Sequence, residues 1–345
     1  MKHKINDFVI CDGIPDTVGW SSIKHMILLM SELFESRVIK LPEYSPNKFQ
    51  KTFHLFDKPR KRDETSGANL LIVATTLGCA NDFLSLNKEK HQYNKVAFWI
   101  IDSSFTNHIP FLASSKYFDH LFITSGNDIS IYQEKTNIKT SFLGYGSDVY
   151  RLGAPNRDRK VDVLRVGRQP NRFDNDEVNE NQLKSFNLTY QGRPDFDASY
   201  IDLLNKYYLQ AKYVLAHSNL ADESNHTHTD KEYITTRWTD ALACGCTIVG
   251  QQPKSDYAYQ QYIWPEAVID IDSSDKCVDG SDLIGNVKKW SPEIAEFNYM
   301  MALKRLDWRW RFKELSDFFC INCEKLNDEL REIEKIIYSY QDKNV

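Results

Sequence analysis

Residues 231–250, KEYITTRWTDALACGCTIVG, have the features of one complete helix–strand unit with a charged entrance. Thr235 or Thr236 suits the N-cap of a helix, because a threonine hydroxyl accepts hydrogen bonds from the free amides of the first turn. The small-residue run ALACG ends that helix with a glycine, and the next three residues, TIV, favour a strand. We therefore predict a helix over residues 236–244 followed directly by a buried strand.

This unit carries acidic and basic residues at positions suited to a phosphorylated ligand. Glu232 precedes the helix, and Asp240 follows eight positions later, inside it. The free amides of the first turn, at Thr235 and Thr236, attract an anion such as a diphosphate. The Arg237 guanidinium adds several donors for phosphate oxygens. Asp240 is able to accept from vicinal hydroxyls such as those of a ribose, and Glu232 would face an attached sugar. The alternative is a solvated helix face on which Arg237 pairs with Asp240.

Short apolar runs alternate with helical patterns along both halves of the chain. In the first half we predict strands over residues 8–11, 37–41, 70–74, 96–101, 121–124 and 140–143, with a helix over residues 23–34. In the second half, strands over 161–166, 188–190, 213–216, 247–249 and 267–270 alternate with helices over 174–186, 200–211 and 236–244, and a helical pattern runs from 282 almost to the end. Strands that are apolar throughout are buried on both faces, which indicates parallel sheets covered by helices. The predicted fold class is α/β, with two Rossmann-like, doubly wound domains.

A charged connector, residues 151–160, separates the two halves and contains Gly153 and Pro155. This composition is typical of an interdomain hinge. We predict an N-terminal domain over residues 1–152, a C-terminal domain over residues 153–305 and closing helices over residues 306–345.

The composition is that of an ordinary globular protein and excludes several classes. The 345 residues carry 43 Lys+Arg against 48 Asp+Glu, a net charge of −5, and 41% of them are hydrophobic. The slight acidity argues against a general nucleic-acid-binding protein, which needs a basic face. Apolar runs fall short of the roughly 18 residues of a membrane span, and the first residues show no apolar signal core. We therefore expect a cytoplasmic protein.

The cysteines and histidines lack the spacing of a metal site. The seven cysteines form no framework, so we expect reduced thiols. Cys320-x-x-Cys323 lacks the second pair of ligands that a zinc site requires. His217, His226 and His228 fall in a polar stretch that fixes no further ligand, which favours a solvated or pocket-lining loop. We expect no bound metal.

Residues 231–250 resemble the signature of retaining nucleotide-sugar glycosyltransferases of the GT-B fold, in particular the "group 1" or family-4-like enzymes and their spore-coat-type relatives. That signature is Glu, seven residues, Glu, then Ala-x-Ala-x-Gly and a β-strand, and here Glu232 and Asp240 take the two acidic positions. The resemblance implies that Asp240 holds the donor ribose and that Glu232 contacts the transferred sugar. Residues 233–235, Tyr-Ile-Thr, stand where the family often has Gly-Phe-Gly to hold the diphosphate. That contact therefore falls here to the helix N-terminus and Arg237.

Two further stretches are similar to the same family. Residues 142–148, FLGYGSD, match the run that ends its N-terminal domain, and residues 163–168, VLRVGR, match the first strand and Gly-Arg turn of its C-terminal domain. The resemblance implies that Gly167 and Arg168 approach the donor diphosphate, and that Arg172 supplies a second positive charge. A surface salt bridge of little energetic value is the alternative for Arg168.

The candidate residues of the N-terminal half follow its first and fourth strands. Gly13 and Gly19 lie in the loop after the first strand, which in the family approaches the donor phosphates and the acceptor, and glycines permit close backbone approach. A plain turn is the alternative. Asp102 and His108 follow the fourth strand, at the carboxyl edge where open α/β sheets bind ligands. The resemblance implies a sugar-contacting histidine near here, and an ordinary surface histidine is the alternative for His108.

The resemblance implies a glycosyltransferase that moves a hexosyl or related sugar from a UDP- or GDP-linked donor to a hydroxyl acceptor, a glycan or lipid-linked precursor of a surface polysaccharide. It also implies retention of configuration, no metal or other cofactor, a donor on the second domain, an acceptor on the first, and closing helices that cross back to the first domain. A sugar-nucleotide epimerase of the same fold and a non-catalytic sugar-nucleotide-binding subunit remain open. A dehydrogenase is a weaker alternative, because Gly-x-Gly-x-x-Gly does not follow the first strand.

The basic cluster at residues 58–62, KPRKR, has two interpretations. It is either a solvated loop or a contact for anionic lipid headgroups, which is worth about 1 kcal/mol per basic residue near a membrane surface. We expect at most a weak peripheral contact with the inner membrane face.

Overall fold

The structure is a computed structural model that describes residues 8–41, 67–79, 93–109, 118–167, 169, 174–194, 198–221, 230–271 and 289–342. The chain divides into two compact units. The first unit comprises Met1–Gly144 and Phe312–Asn327, and the second comprises Tyr145–Arg311 and Asp328–Val345. The charged connector, residues 151–160, therefore lies inside the second unit.

The first unit is built on a parallel sheet of six strands. These are β1 (Phe8–Gly13), β2 (Arg37–Lys40), β3 (Ala68–Ala74), β4 (Tyr93–Ile100), β5 (His120–Ile123) and β6 (Thr140–Phe142). Their order is β2-β1-β3-β4-β5-β6. The central strands are buried on both faces, and Ile72, Phe98 and Leu121 belong to one apolar core on this sheet. The apolar runs therefore form strands here because only a sheet covered on both faces removes them from water.

The second unit has a parallel sheet of five strands. These are β7 (Val161–Arg165), β8 (Tyr190–Gln191), β9 (Ala211–Leu215), β10 (Thr247–Gly250) and β11 (Val268–Asp270). Their order is β11-β10-β9-β7-β8, so the chain reverses its direction of travel across the sheet between β7 and β9. In open α/β sheets, ligands bind outside the carboxyl ends of the strands at such a reversal.

Helices cover both sheets. In the described residues they are α1 (Ser21–Phe34), α2 (Ile129–Thr136), α3 (Val149–Leu152), α4 (Asp176–Ser185), α5 (Tyr200–Asp202), α6 (Thr236–Ala243), α7 (Tyr257–Tyr262), α8 (Pro292–Arg305), α9 (Trp308–Phe319) and α10 (Glu324–Asp342). The helices α9 and α10 each contribute residues to both units. Of the helices described, none is long and apolar enough to cross a bilayer.

The strand predictions are confirmed, since every predicted strand is present. The prediction was wrong at the start of β8, which begins at Tyr190 instead of Leu188. The Thr189 amide donates to the Asp162 carboxylate at 2.8 Å instead of to β7, so only the Thr189 carbonyl, which accepts from the Val163 amide at 3.1 Å, pairs with that strand. The cysteines of the described residues are free thiols, and Cys277 lies outside those residues.

The helix predictions need correction at two places. The predicted helix over residues 200–211 is only α-helical through Asp202 and continues as a π-helical turn, Leu203–Tyr207. The predicted continuous helix after residue 282 is three helices, α8 to α10, and residues 282–288 lie outside the described part. The break after α8 has a tertiary cause, because the Ser147 amide donates to the Leu306 carbonyl at 2.9 Å and the Trp308 amide donates back to Ser147 at 3.0 Å.

Three short or weakly patterned helices were not predicted: α2, α3 and α7. Side-chain caps stabilise the two shortest. Asp148 accepts from the Arg151 amide at the start of α3, and Asp256 accepts from the Ala258 and Tyr259 amides at the start of α7. Such caps satisfy amides that a helix this short cannot satisfy internally.

Candidate functional site

The N-terminus of α6 lies at the carboxyl edge of the second unit's sheet. Thr235 is the N-cap, in extended conformation, and its side chain makes no capping hydrogen bond to the first turn. Thr235, Thr236 and Arg237 are half-buried, whereas the rest of the helix, from Trp238 onward, is buried. The first turn is therefore the part of α6 that remains accessible, and its amides carry the positive end of the helix dipole.

The turn after β7 meets this helix end. Gly167 has φ +68°, in the left-handed region that favours glycine, and a Cβ built on it would lie 2.6 Å from a guanidinium nitrogen of Arg237. Just before the turn, the buried Arg165 forms ion pairs with Asp174 and Asp176, the latter at 2.9 Å. The structure thus brings together two of the predicted residues, Gly167 and Arg237, at the reversal point between β7 and β9.

Glu232 stands in the loop before α6 and is held by three donors. Its Oε1 accepts from the Ser218 hydroxyl at 2.9 Å, and its Oε2 accepts from the Ser255 amide at 2.8 Å and the Ser255 hydroxyl at 2.6 Å. Ser218 follows β9 and Ser255 follows β10, so Glu232 connects the loops after two neighbouring strands. A carboxylate offers about four acceptor positions, and contacts within the described residues occupy three of them on Glu232.

A second carboxylate, Asp256, lies next to Glu232 and is 1% exposed. It accepts from the Ile234 amide at 2.9 Å as well as from the two amides of the α7 cap. Burial raises the pKa of Asp256 to about 6, and the negative charge of Glu232 adds to the rise, while the three amides act against it. A buried carboxylate thus ties the loop before α6 to the start of α7.

Asp240 is enclosed inside the second unit and is 2% exposed. Its Oδ1 accepts from the hydroxyls of Ser147 and Tyr200, each at 2.8 Å. The neighbouring Thr239 donates to the Gly146 carbonyl at 2.8 Å. Residues 146–147 of the FLGYGSD run therefore pack directly on α6.

The polar residues of this edge include His217, which the sequence analysis named, and several residues that it missed. His217 lies after β9, and its Nδ1 accepts from the Gln251 amide at 3.1 Å, so the neutral ring carries its proton on Nε2. Ser218, Ser255, Asp256 and Tyr200 were not predicted as site residues. The sequence contained a signal for three of these four residues. Ser218 and Ser255 follow buried strands, whose carboxyl ends form a ligand-binding edge, and Asp256 suits a helix N-cap.

Several predicted residues lie outside the described part of the chain. These are Arg168 and Arg172 of the proposed phosphate contact, His226 and His228, and the basic cluster at residues 58–62. Within the described residues, no group of three or more His, Cys, Asp and Glu side chains is arranged to hold a metal ion.

The predicted residues of the first unit lie at the carboxyl ends of its strands. Gly13 ends β1, where an added Cβ would lie 2.8 Å from the Ala74 Cβ, whereas a Cβ on Gly19 would meet open space. Asp102 follows β4, and its amide donates to the Thr75 carbonyl at 2.7 Å. His108 is exposed, and its ring stacks on Phe105 with 5.5 Å between centroids. Close packing therefore requires a glycine at position 13 but not at 19.

An ion-pair cluster surrounds the end of β1. Asp12 pairs with Lys24 at 2.7 Å and with Lys40 at 2.9 Å, and the exposed Asp16 pairs with the same two lysines. Hydrogen bonds from Lys24 and Lys40 lower the pKa of Asp16 to about 2. The cluster fixes the loop that carries Gly13 and Gly19 against α1.

Solved structures resemble the chain over most of its length. HepE of Anabaena, in complex with UDP-glucose, is 10% identical with a TM-score of 0.55, covering 90% of this chain and 99% of that chain. Sucrose-phosphate synthase of Thermosynechococcus elongatus is 11% identical with a TM-score of 0.51, covering 90% and 98%. OtsA in its apo form is 8% identical with a TM-score of 0.52, covering 90% and 98%.

This likeness shows the fold. The chain has the α/β architecture of the GT-B class, with two parallel sheets, as the sequence predicted. No protein-family model and no curated protein matches the sequence.

Proposed function

We propose that the chain is a nucleotide-sugar-dependent glycosyltransferase whose donor binds at the carboxyl edge of the second unit's sheet. The observation that carries the proposal is the meeting of Gly167 and Arg237 beside the N-terminus of α6. A glycine turn, a guanidinium and a helix N-terminus in one place suit a diphosphate. The similarity to HepE, solved with UDP-glucose, supports the same class of ligand.

The leaving diphosphate is the group that this arrangement would stabilise. In glycosyl transfer, the bond from the anomeric carbon to the phosphate oxygen breaks, a bond to the acceptor oxygen forms, and the acceptor hydroxyl loses its proton. Charge on the diphosphate grows in the transition state, so donors aimed at it lower the barrier. We assign this role to Arg237 and to the backbone at Thr235 and Thr236, together with Arg168 and Arg172, and we propose that no metal or other cofactor takes part.

The two acidic residues of the signature would hold the two ends of the donor. We assign Glu232 to the transferred sugar, because its side chain is half-buried and retains one acceptor position. We assign Asp240 to the ribose. The Ser147 and Tyr200 hydroxyls, which donate to Asp240 in the structure, would take the place of the ribose hydroxyls when no nucleotide is bound.

The first unit would supply the acceptor contacts. Gly13, Gly19, Asp102 and His108 lie at or after the ends of strands of its sheet, and the exposed ring of His108, stacked on Phe105, would offer a flat surface to a sugar ring. We propose a glycan or lipid-linked acceptor, a hexosyl donor linked to UDP or GDP, retention of configuration, and a cytoplasmic protein with at most weak contact with the inner membrane face.

Ligand titration and turnover together test this function. Calorimetry with UDP, UDP-glucose, GDP and GDP-mannose should show binding of one nucleotide and its sugar conjugate, and release of the nucleoside diphosphate should require an acceptor. Arg237→Met should lower turnover about a hundredfold, the cost of one lost transition-state contact of about 3 kcal/mol. Arg331→Met, at an exposed arginine that pairs with Asp328, is the matched control and should be neutral.

Three outcomes contradict the proposal. Binding of none of the four ligands would exclude a nucleotide-sugar protein. Epimerisation of the sugar without an acceptor would identify the epimerase alternative. Binding without any turnover across a panel of sugar acceptors would identify the non-catalytic binding subunit.

A further inference from the structure

We propose that Ser255 and Asp256 are positioning residues of the donor site: Ser255 orients the Glu232 carboxylate, and Asp256 fixes the backbone between Glu232 and the start of α6. The inference rests on the proposed function and adds to it residues that lie outside the Glu–Asp signature. Both residues belong to the loop after β10, which the signature does not include.

Ser255 holds one oxygen of Glu232 with two donors. Its amide and its hydroxyl both point at Oε2, at 2.8 Å and 2.6 Å, in the geometry of a small anion-binding turn. Ser218 holds the other oxygen through one hydrogen bond at 2.9 Å. Glu232 is therefore fixed by contacts on both oxygens, and the acceptor position that remains on Oε1 has a defined direction.

Asp256 fixes the chain two residues further along. The Ile234 amide donates to its Oδ2 at 2.9 Å, and Ile234 is itself buried. Ile234 directly precedes Thr235, the N-cap of α6. The hydrogen bond therefore sets the path by which the chain enters the first turn of α6, where we place the diphosphate.

The helix that Asp256 caps supports α6 directly. The ring of Tyr259 in α7 packs edge-on against Trp238 in α6, with 6.0 Å between centroids. Asp256 accepts from the Tyr259 amide at 3.2 Å. The Asp256 carboxylate thus contacts both the loop before α6 and the start of α7, the helix that packs on the first turn of α6.

The arrangement gives the two residues different expected effects. Loss of the Ser255 hydroxyl removes one of the two donors on Oε2 and loosens the Glu232 carboxylate, so it should weaken the contact with the sugar and leave the contact with the bare nucleotide unchanged. Asp256→Ala removes both oxygens: Oδ2, which accepts from the Ile234 and Tyr259 amides, and Oδ1, which accepts from the Ala258 amide. It should therefore displace the first turn of α6 and weaken UDP and UDP-glucose alike.

The test compares affinities for UDP and UDP-glucose, with GDP and GDP-mannose as the second pair if the wild-type protein prefers guanine. Ser255→Ala should weaken UDP-glucose about tenfold and leave UDP within about twofold, since one charge-assisted hydrogen bond changes affinity by about that factor. Ser255→Thr retains the hydroxyl and should restore most of the loss. Asp256→Ala should weaken both ligands about tenfold.

Two control variants remove similar groups at the far side of the unit. Ser185→Ala deletes an exposed hydroxyl that donates to the Gln182 carbonyl, and Asp162→Ala removes a buried carboxylate that accepts from Thr189. Equal effects of Ser255→Ala on UDP and UDP-glucose, or effects no larger than those of the controls, would overturn the positioning role and leave the proposed function intact. Absence of nucleotide binding by the wild-type protein would overturn both.

Discussion

The replacement of Asp256 by Asn should change the pH dependence of stability in a direction that the structure specifies. Asp256 is 1% exposed and lies near the negative charge of Glu232. Burial, with a contribution from Glu232, raises its pKa from the usual 3.8 to about 6. Asn has a similar shape but does not ionise. The variant therefore lacks the pH-dependent contribution that Asp256 makes to the free energy of unfolding.

The sign follows from proton linkage. Between the pKa of the unfolded chain and that of the folded protein, the folded state binds more protons. The contribution of Asp256 to stability is therefore complete below about pH 4 and is lost as the pH rises through about 6. The difference of about 2 in pKa corresponds to about 3 kcal/mol, of which about 2 kcal/mol falls between about pH 4.5 and about pH 7.5.

Urea unfolding of the wild-type protein and the variant at several pH values measures this effect. The wild-type free energy of unfolding minus that of Asp256→Asn should fall by about 2 kcal/mol from about pH 4.5 to about pH 7.5, with fluorescence and circular dichroism giving coincident transitions. Asp162→Asn is the matched control: burial acts to raise the pKa of Asp162, but Lys212 and Thr189 hold it below its usual value, so the corresponding difference should not fall. A difference for Asp256→Asn that is constant or rises with pH would refute the reasoning.

Two further predictions concern the chemistry of the site. A chelator should leave turnover nearly unchanged if arginines and a helix N-terminus meet the phosphate charge, whereas loss of activity that a divalent ion restores would favour a metal site at His217, His226 and His228. Glu232→Gln should lower turnover and leave the affinity for the bare nucleoside diphosphate unchanged, whereas Asp240→Asn should weaken nucleotide and nucleotide sugar alike. Calorimetry of both variants decides between these roles, and the opposite pattern would show that the two carboxylates have been assigned the wrong way round.

The strands and the central helix could be predicted because their signals are local. A run such as Leu-Leu-Ile-Val-Ala in β3 is apolar at every position, and only burial on both faces accommodates it. The helix α6 likewise carries its own boundaries, an N-cap threonine and a left-handed glycine, Gly245, after its end. Such features need no knowledge of the rest of the molecule.

The errors arose where a distant residue determines local structure. The helical pattern after residue 292 continues through Leu306 in sequence, but pairing with Ser147 ends the helix at Arg305. The same holds at the site: the spacing of Glu232 and Asp240 indicated two carboxylates near a helix N-terminus, whereas their partners come from segments far apart in sequence. Ser147 and Tyr200 reach Asp240 across the fold, and periodicity contains no information on that contact.

The different surroundings of Glu232 and Asp240 follow from where each stands relative to α6. Glu232 precedes the N-cap, so loop hydroxyls reach it while part of its side chain remains accessible. Asp240 lies on the buried part of the helix, so its partners are hydroxyls from the interior of the second unit. A ribose hydroxyl that bonds to Asp240 must therefore replace or join the Tyr200 and Ser147 hydroxyls, whereas a sugar hydroxyl that bonds to Glu232 can take its fourth acceptor position. Under the proposed function, nucleotide binding is thereby coupled to the packing of Tyr200, and sugar binding is coupled to Ser255.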